Sequence, residues 1–160
     1  MHSSARTLVR SVAGLVSGLA VLVAPAMAFA LDGTLTVEAT RSKIPAERFI
    51  GVKYELKTPR DASSGLATGR RQHSPVCVYR QTGATSVTFF QAAVTNESFK
   101  TVTLDISNGS RMKLTNAGVA SYGLVGGAEG KDLEEICFSF QRIEFTVKGN
   151  MAADDLGARN

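Results

Sequence analysis

The residues able to serve as nucleophile, base or metal ligand are few. The chain of 160 residues holds two histidines, His2 and His73, and two cysteines, Cys77 and Cys137. His73 has the ring nitrogens a general base needs. No G-x-S-x-G elbow or comparable nucleophile motif accompanies it, so a hydrogen-bonding role in a loop is the expectation. Cys77 and Cys137 lack the C-x-x-C or H-x-x-x-H spacing of a zinc site. In an oxidising compartment the two permit a disulfide, and otherwise each reads as a small buried strand residue; spacing alone leaves both readings open. Gly123-x-x-Gly126-Gly127-x-x-Gly130 lacks the G-K-[ST] ending of a phosphate loop, and strand-like alternation follows where a helix would have to begin. Glu134-Glu135 and Asp154-Asp155 are sequence neighbours whose side chains would point to opposite faces of a strand, so both pairs are expected to be solvated. Asn96-Glu97-Ser98 and Asn108-Gly109-Ser110 match the glycosylation sequon, a pattern short enough to arise by chance. The chain therefore reads as a non-enzyme with no catalytic residue, no cofactor and no metal.

The elements that position these residues are mostly strands. Thr34 to Ala39 alternates through Leu35, Val37 and Ala39, and Phe49 to Lys57 through Ile50, Val52, Tyr54 and Leu56. The charged, Pro45-containing stretch Arg41 to Arg48 predicts a connection between them. From Thr58 to Ser74 no apolar residue recurs in register, which predicts a long loop of the kind used for interaction or left disordered. Pro75 to Gln81 resumes as a strand. Thr85 to Asn96 changes period, with Phe89, Phe90, Ala93 and Val94 on one side of a short helix and Thr88 with Gln91 at capping-box spacing. A hairpin from Phe99 to about Tyr122 turns at Asn108-Gly109. The glycine-rich stretch Gly123 to Gly130 reads as a loop before a last strand through Ile136, Phe138 and Phe140. The change of phase to Ile143, Phe145 and Val147 predicts a bulge or bend, and the tail from Gly149 a loosely held end. These elements make a mainly β fold, an antiparallel barrel or sandwich with one short α-helix.

The first 30 residues follow a different logic. Arg6 and Arg10, an apolar run from Val12 to Val23, then Pro25 and small residues reproduce the order of a secretory signal, and the run is too short to span a membrane. Cleavage is expected after Ala28 or Ala30, with the second favoured, leaving one domain over residues 31–160 and no membrane segment. The alternative is a true start at Met27. Without the leader, 16 basic residues stand against 14 acidic ones, net +2. With neither a basic stripe nor interleaved aromatics, nucleic acid is not an expected partner.

Five ordered segments resemble the haemolysin-coregulated protein (Hcp) family, the tube-forming subunits of type VI secretion systems. Thr58-Pro-Arg-Asp-Ala-Ser-Ser-Gly-Leu-Ala-Thr-Gly-Arg-Arg-Gln-His-Ser-Pro75 resembles S-P-R-D-x-x-[ST]-G-x-x-x-G-[KR]-R-Q-H-x-P, and Phe89-Phe-Gln-Ala-Ala-Val-Thr-Asn-Glu97 resembles L-F-Q-A-L-V-T-N-E. Met112-Lys-Leu-Thr-Asn-Ala117 resembles I-x-L-T-N-A, Leu133-Glu-Glu-Ile-Cys-Phe-Ser-Phe-Gln-Arg-Ile-Glu-Phe145 resembles L-E-x-V-S-F-x-F-Q-K-I-E-W, and Ala152-Ala-Asp-Asp155 resembles A-A-D-D. The resemblance implies a small β-barrel flanked by a short helix, assembled as a hexameric ring that stacks into a tube and carries small effectors. It also implies that the long loop packs against neighbouring subunits, which makes Pro59, Arg60, Asp61, Arg70, Arg71, Gln72 and His73 the expected interface residues. Three departures stand out: tube subunits of this family ordinarily lack a signal peptide, Cys137 takes a Ser-like position, and Phe145 takes the place of a Trp. The leader and the cysteine pair both imply a life outside the cytoplasm, periplasmic or extracellular. The reading is thus a structural ring subunit associated with type VI secretion; the alternative is an exported binding module of the same fold that works without a contractile machine. A start at Met27 would instead leave it cytoplasmic until firing.

Overall fold

The computed structural model describes residues 31–126 and 132–157. The expected leader, residues 1–30, and the second half of the glycine-rich stretch lie outside the described residues.

Alternation builds the first strand directly: β1 (Gly33–Ala39) buries Leu35 and Val37 and turns Thr34, Thr36 and Glu38 to solvent. The segment expected as one second strand is three short ones, β2 (Glu47–Phe49), β3 (Gly51–Lys53) and β4 (Leu56–Lys57). The cause is a change of partner. β2 pairs with β1, while β3 pairs with β6 (Val76–Gln81), and the chain bends at Ile50 to serve both, donating the Ile50 N–H to the Tyr79 carbonyl. All ladders are antiparallel. The main path runs β2-β1-β7-β8-β9-β6-β3, with β7 (Ser98–Ile106), β8 (Ser110–Gly126) and β9 (Asp132–Ser139) at its centre. Its two end strands are consecutive in the chain, so the path returns on itself through the Ile50 bend.

β8, 17 residues long, organises the sheet. Its first part, Ser110 to Thr115, pairs on one side with β10 (Arg142–Val147), and its later part, from Gly118, pairs with β9. The handover falls at Asn116, whose φ is +48°, and its amide donates to the Gln141 side chain at the matching joint between β9 and β10. The phase change between Phe140 and Ile143 is therefore a bend. Gly123 to Gly126, expected in a loop, prolong β8, because Leu133 and Asp132 on β9 continue the ladder beside them. The tail from Gly149 is likewise no loose end. Lys148 and Gly149 both have positive φ, +49° and +82°, which is the geometry of a tight two-residue hairpin turn, and β11 (Asn150–Asp155) pairs with β10 along its whole length. The β7–β8 turn, expected to have two residues, has three, with Gly109 at φ +83° and the Asn108 side chain accepting the Ser110 N–H.

The helix α1 (Ser86–Thr95) lies over the sheet with Phe89 and Ala92 inward. Phe90 and Val94, expected on the same buried side, are exposed. The helix is turned by the Phe89 ring, which meets Phe138 edge to face at 6.3 Å, as Phe99 does from β7. The expected capping box is not used either. Thr85 cannot cap with its side chain, because its hydroxyl donates to Glu47 and accepts from Arg80; Ser86 instead accepts the Gly83 N–H.

That use of Thr85 belongs to a buried polar cluster. Arg80 is 2% exposed and Glu134 0%, and they face each other across β6 and β9 with Nε 3.0 Å from Oε1. The approach is too oblique for a hydrogen bond, so Oε1 and Arg80 Nη1 have no hydrogen-bond partner among the described protein atoms. The Glu134 Oε2 accepts from Tyr122, and the guanidinium sits 5.5 Å over the Phe89 ring. Glu134 is therefore not the solvated strand acid expected from its neighbour Glu135; adjacent strand residues face opposite ways, and this one faces the core. Replacing Glu134 by Ala leaves the buried Arg80 charge with only Glu47, 3.8 Å away, and should lower unfolding free energy by about 3 kcal/mol, read from denaturant midpoints. The paired exchange Arg80→Met with Glu134→Leu should recover most of that loss.

Candidate functional site

The long segment from Thr58 to Ser74 is an organised arm. Its base is the short ladder between β4 and β5 (Gln72–His73), where Leu56 faces His73 and Lys57 faces Gln72. Farther out, Thr68 N–H donates to the Pro59 carbonyl, Arg60 bridges to Ala67, and Asp61 N–H donates to the Leu66 carbonyl. The tip is closed by Asp61, whose Oδ1 accepts from the backbone and hydroxyl groups of both Ser63 and Ser64. Hydrogen bonds from Ser63 and then Ser64 pull the Asp61 carboxyl down to about 2. Gly65 takes the left-handed conformation at φ +70° that lets the tip turn, and Arg60 donates to its carbonyl at 3.0 Å.

At the base, four side chains from distant parts of the chain lock together. The Tyr54 hydroxyl is 2.6 Å from His73 Nδ1, and His73 Nε2 is 2.9 Å from Asp154 Oδ2. A ring carrying its hydrogen on Nε2 satisfies both contacts, donating to Asp154 and accepting from Tyr54. Arg71 donates through Nε and Nη2 to the two oxygens of the same carboxylate, a bidentate fork. The His73 side chain is nearly fully buried and meets Phe140 edge-on at 5.8 Å. The Arg71 hydrogen bond holds Asp154 below the usual carboxylate range against the opposing effect of burial, with His73 adding to the lowering. Burial, and then the Asp154 charge, raise the Tyr54 phenol. The hydrogen bonds of this row tie the base of the arm, through Arg71 and His73, to Tyr54 and to Asp154 on β11, so the row anchors the arm. Asp154, expected to be solvated, is the residue on which the arm closes.

The expected interface residues thus fall into groups. Arg71 and His73 are brought together at the anchor, Gln72 is in the base ladder, and Pro59, Arg60 and Asp61 build the arm itself. Arg70 stays exposed at a second cleft of about 640 Å³ that includes Gly69 and Asp155. At the tip Leu66 stands outward, 69% exposed. Sequence reasoning missed Tyr54 and Asp154. The closing Ala152-Ala-Asp-Asp155 segment was the available signal, but nothing in spacing ties residue 154 to residue 73.

Beside the anchor opens a cleft of about 760 Å³, walled by Tyr54, His73, Arg71 and Asp154 at one end and by Val52, Met112 and Ile143 along its floor. Away from the cleft, Cys77 and Cys137 are direct partners in the β6–β9 register, and their sulfurs are joined as a disulfide. Glu135 lies near them, making the one group of three metal-ligating side chains among the described residues, but its two sulfurs are committed to each other. Glu135 instead accepts from Tyr79. Among the described residues no helix is long and apolar enough to cross a membrane.

Residues 31–147 match the family model described as "Type VI secretion system effector, Hcp". Solved structures share the fold. An Hcp protein superposes with a TM-score of 0.68 at 16% identity, covering 78% of this chain and 98% of its own. A doubly substituted Hcp1 from the E. coli EAEC 042 pathovar gives 0.65 at 18% identity, covering 79% and 99%, and the secreted protein Hcp3 from Pseudomonas aeruginosa gives 0.63 at 15%, covering 79% and 99%. No curated protein matches.

The anchor makes a pH prediction. Asp154 and Asp61 have lowered values in the folded state, so their contribution is full above the ordinary carboxylate value of 3.8 and is lost as pH falls through the folded values. The protection of the residue 58–71 amides, the ratio of the free-peptide exchange rate to the observed one, should hold down to about pH 4 and fall below it. Asp154→Asn, which removes the charge that Arg71 grips, should quicken the same amides at pH 7 while leaving β7 and β8 protected.

Proposed function

The chain belongs to the Hcp family of type VI secretion proteins, a family of structural tube subunits and not of enzymes, and from that premise we propose that its copies assemble into a hexameric ring able to stack and to carry small effector proteins. The observation that carries this reading is the family match across nearly the whole described domain. The arm supports it. A projection held by its own tip bonds and by the Asp154 anchor is ordered before it meets a partner, which lowers the ordering cost of association. Within this reading Pro59, Arg60, Asp61, Arg70, Arg71, Gln72 and His73 form the arm that reaches a neighbouring subunit, with Arg70 and Leu66 as its outward contacts. Light scattering on the purified protein tests the ring: a mass near six protomers is expected, and a monomer at high concentration would count against it.

We also propose that the chain is exported by its leader and cut after Ala30 or Ala28, placing residues 31–160 in the periplasm or outside the cell. The Cys77–Cys137 disulfide supports this, since cytosolic thiols are ordinarily kept reduced. N-terminal sequencing of protein from cell fractions should begin at Leu31 or Phe29; a cytoplasmic product beginning at Met27 would overturn export. The bridge closes a loop with a sequence separation of 60. Cys77→Ser with Cys137→Ser should therefore cost about 4 kcal/mol in urea unfolding, a loss that reductant reproduces in the parent protein. The same feature gives a second reading its footing: an exported binding module of this fold acting alone, distinguished by a monomeric mass.

A further inference from the structure

Spacing along the chain offers no metal site, because Cys77 and Cys137 stand 60 positions apart, yet the β6–β9 ladder puts them side by side. Residues opposite each other in an antiparallel ladder turn the same way, and so do residues two apart on one strand. Cys77, Tyr79, Cys137 and Glu135 therefore share one face of these strands, opposite to the face through which Val76, Val78, Ile136 and Phe138 enter the core. The two sulfurs and a carboxylate oxygen of Glu135 lie within 4.8 Å of one another. The Tyr79 hydroxyl donates to Glu135 Oε1 at 2.6 Å, so the carboxylate is oriented by a hydrogen bond, as metal-binding carboxylates commonly are. The approach from solvent is open: Gly51 stands opposite Tyr79 on β3 and Gly123 opposite Glu135 on β8, and a Cβ at Gly123 would meet nothing within 4 Å.

We propose that, once the Cys77–Cys137 bridge is reduced, the two thiolates and the Glu135 carboxylate bind one zinc ion. The same two strands are then stapled by a disulfide under oxidising conditions and by a metal under reducing ones. Two thiolates and a carboxylate are a donor set that zinc accepts, at about 2.3 Å from sulfur and about 2.0–2.2 Å from oxygen, and water completes the tetrahedron. Magnesium and calcium, which take oxygen ligands, do not suit it. Sulfurs on one tetrahedral zinc stand roughly 3.8 Å apart, a separation that opposite positions of a ladder reach by side-chain rotation alone. The electrons come from a dithiol reductant: the protein S–S bond breaks, the reductant closes its own, and two electrons and two protons pass to Cys77 and Cys137. Zinc then takes the place of the two thiol protons, which leave to solvent. The three negative ligands are offset by the ion's double charge together with Lys53, which stands opposite Cys77 on β3. The site is independent of the ring and of export, since it belongs to the reduced protein wherever that forms.

The untagged protein, reduced with a phosphine that is then removed under argon, is titrated with zinc against a chromophoric chelator. One zinc per chain is expected for the reduced protein and none for the oxidised one. Cobalt in place of zinc should give the near-ultraviolet sulfur-to-metal absorption and the visible bands of a tetrahedral site. Glu135→Gln leaves the bridge of the oxidised protein in place and should weaken zinc binding to the reduced form by roughly 10–100-fold, and Tyr79→Phe by roughly tenfold. Amide protection of β7 and β8 should be the same in the zinc-loaded and the oxidised protein, which shows that the metal is held by the folded chain. Reduced protein that takes up no zinc would overturn the site, and so would an affinity that Glu135→Gln leaves unchanged or binding that accompanies loss of the amide protection. Equal uptake by the oxidised protein would put the metal elsewhere and sink the assignment as well.

Discussion

The buried contact between Arg80 and Glu134 is the constraint around which the rest of the sheet is arranged. One side chain comes from β6 and the other from β9, and their partners draw in Tyr122 from β8, Glu47 from β2, Thr85 at the start of α1 and the face of Phe89 within it. A charge removed from water is tolerated only beside its counter-charge, and a slip of one residue between β6 and β9 would turn one of the pair out of the core and leave the other buried without it. The pair thus specifies register more than it adds stability. The helix start gives up its ordinary cap to the same cluster. The Cys77–Cys137 bridge lies in the same ladder, three residues along β6, and ties the two strands at a second point.

A second dependency runs from the C-terminal hairpin to the arm. The turn at Lys148 and Gly149 lays β11 against β10, and only then does Asp154 stand where Arg71 and His73 can reach it. The residues joined there are separated by more than 80 positions. The last strand therefore carries the anchor of the arm, and it is also one wall of the large cleft. Arm, anchor and cleft form one mechanical unit, in which a partner pressing on the cleft would meet the residues that hold the arm.

The loop between β1 and β2 shows the same economy. Glu97 follows the left-handed Asn96 at the end of α1 and accepts hydrogen bonds from the Arg41 and Ser42 backbones and from the Ser42 hydroxyl. Burial alone would raise its carboxyl, but the bonds from Ser42 and Arg41 outweigh it and hold it low. The second residue of a sequon-like triplet is in fact a pin for an otherwise irregular connection, and it lets Ile44 sink into the core.

By itself the sequence determined the parts of the fold that depend on local pattern. The alternation of Leu35 and Val37, of Val76 and Val78, and of Ile136 and Phe138 sets strands with a buried face, because side chains on a strand point alternately to its two sides. The helical period of residues 86–95 and the ordered family-like segments were equally legible. The tertiary structure decided what depends on which element lies opposite. It split the strand at Ile50 between two partners, rotated α1 so that Phe90 and Val94 face outward, extended β8 through Gly126, paired the tail as β11, and turned Glu134 and Asp154 from surface acids into partners of Arg80 and Arg71. A carboxylate's fate is set by the charge that folding brings beside it, and that neighbour can stand dozens of residues away, where periodicity carries no information.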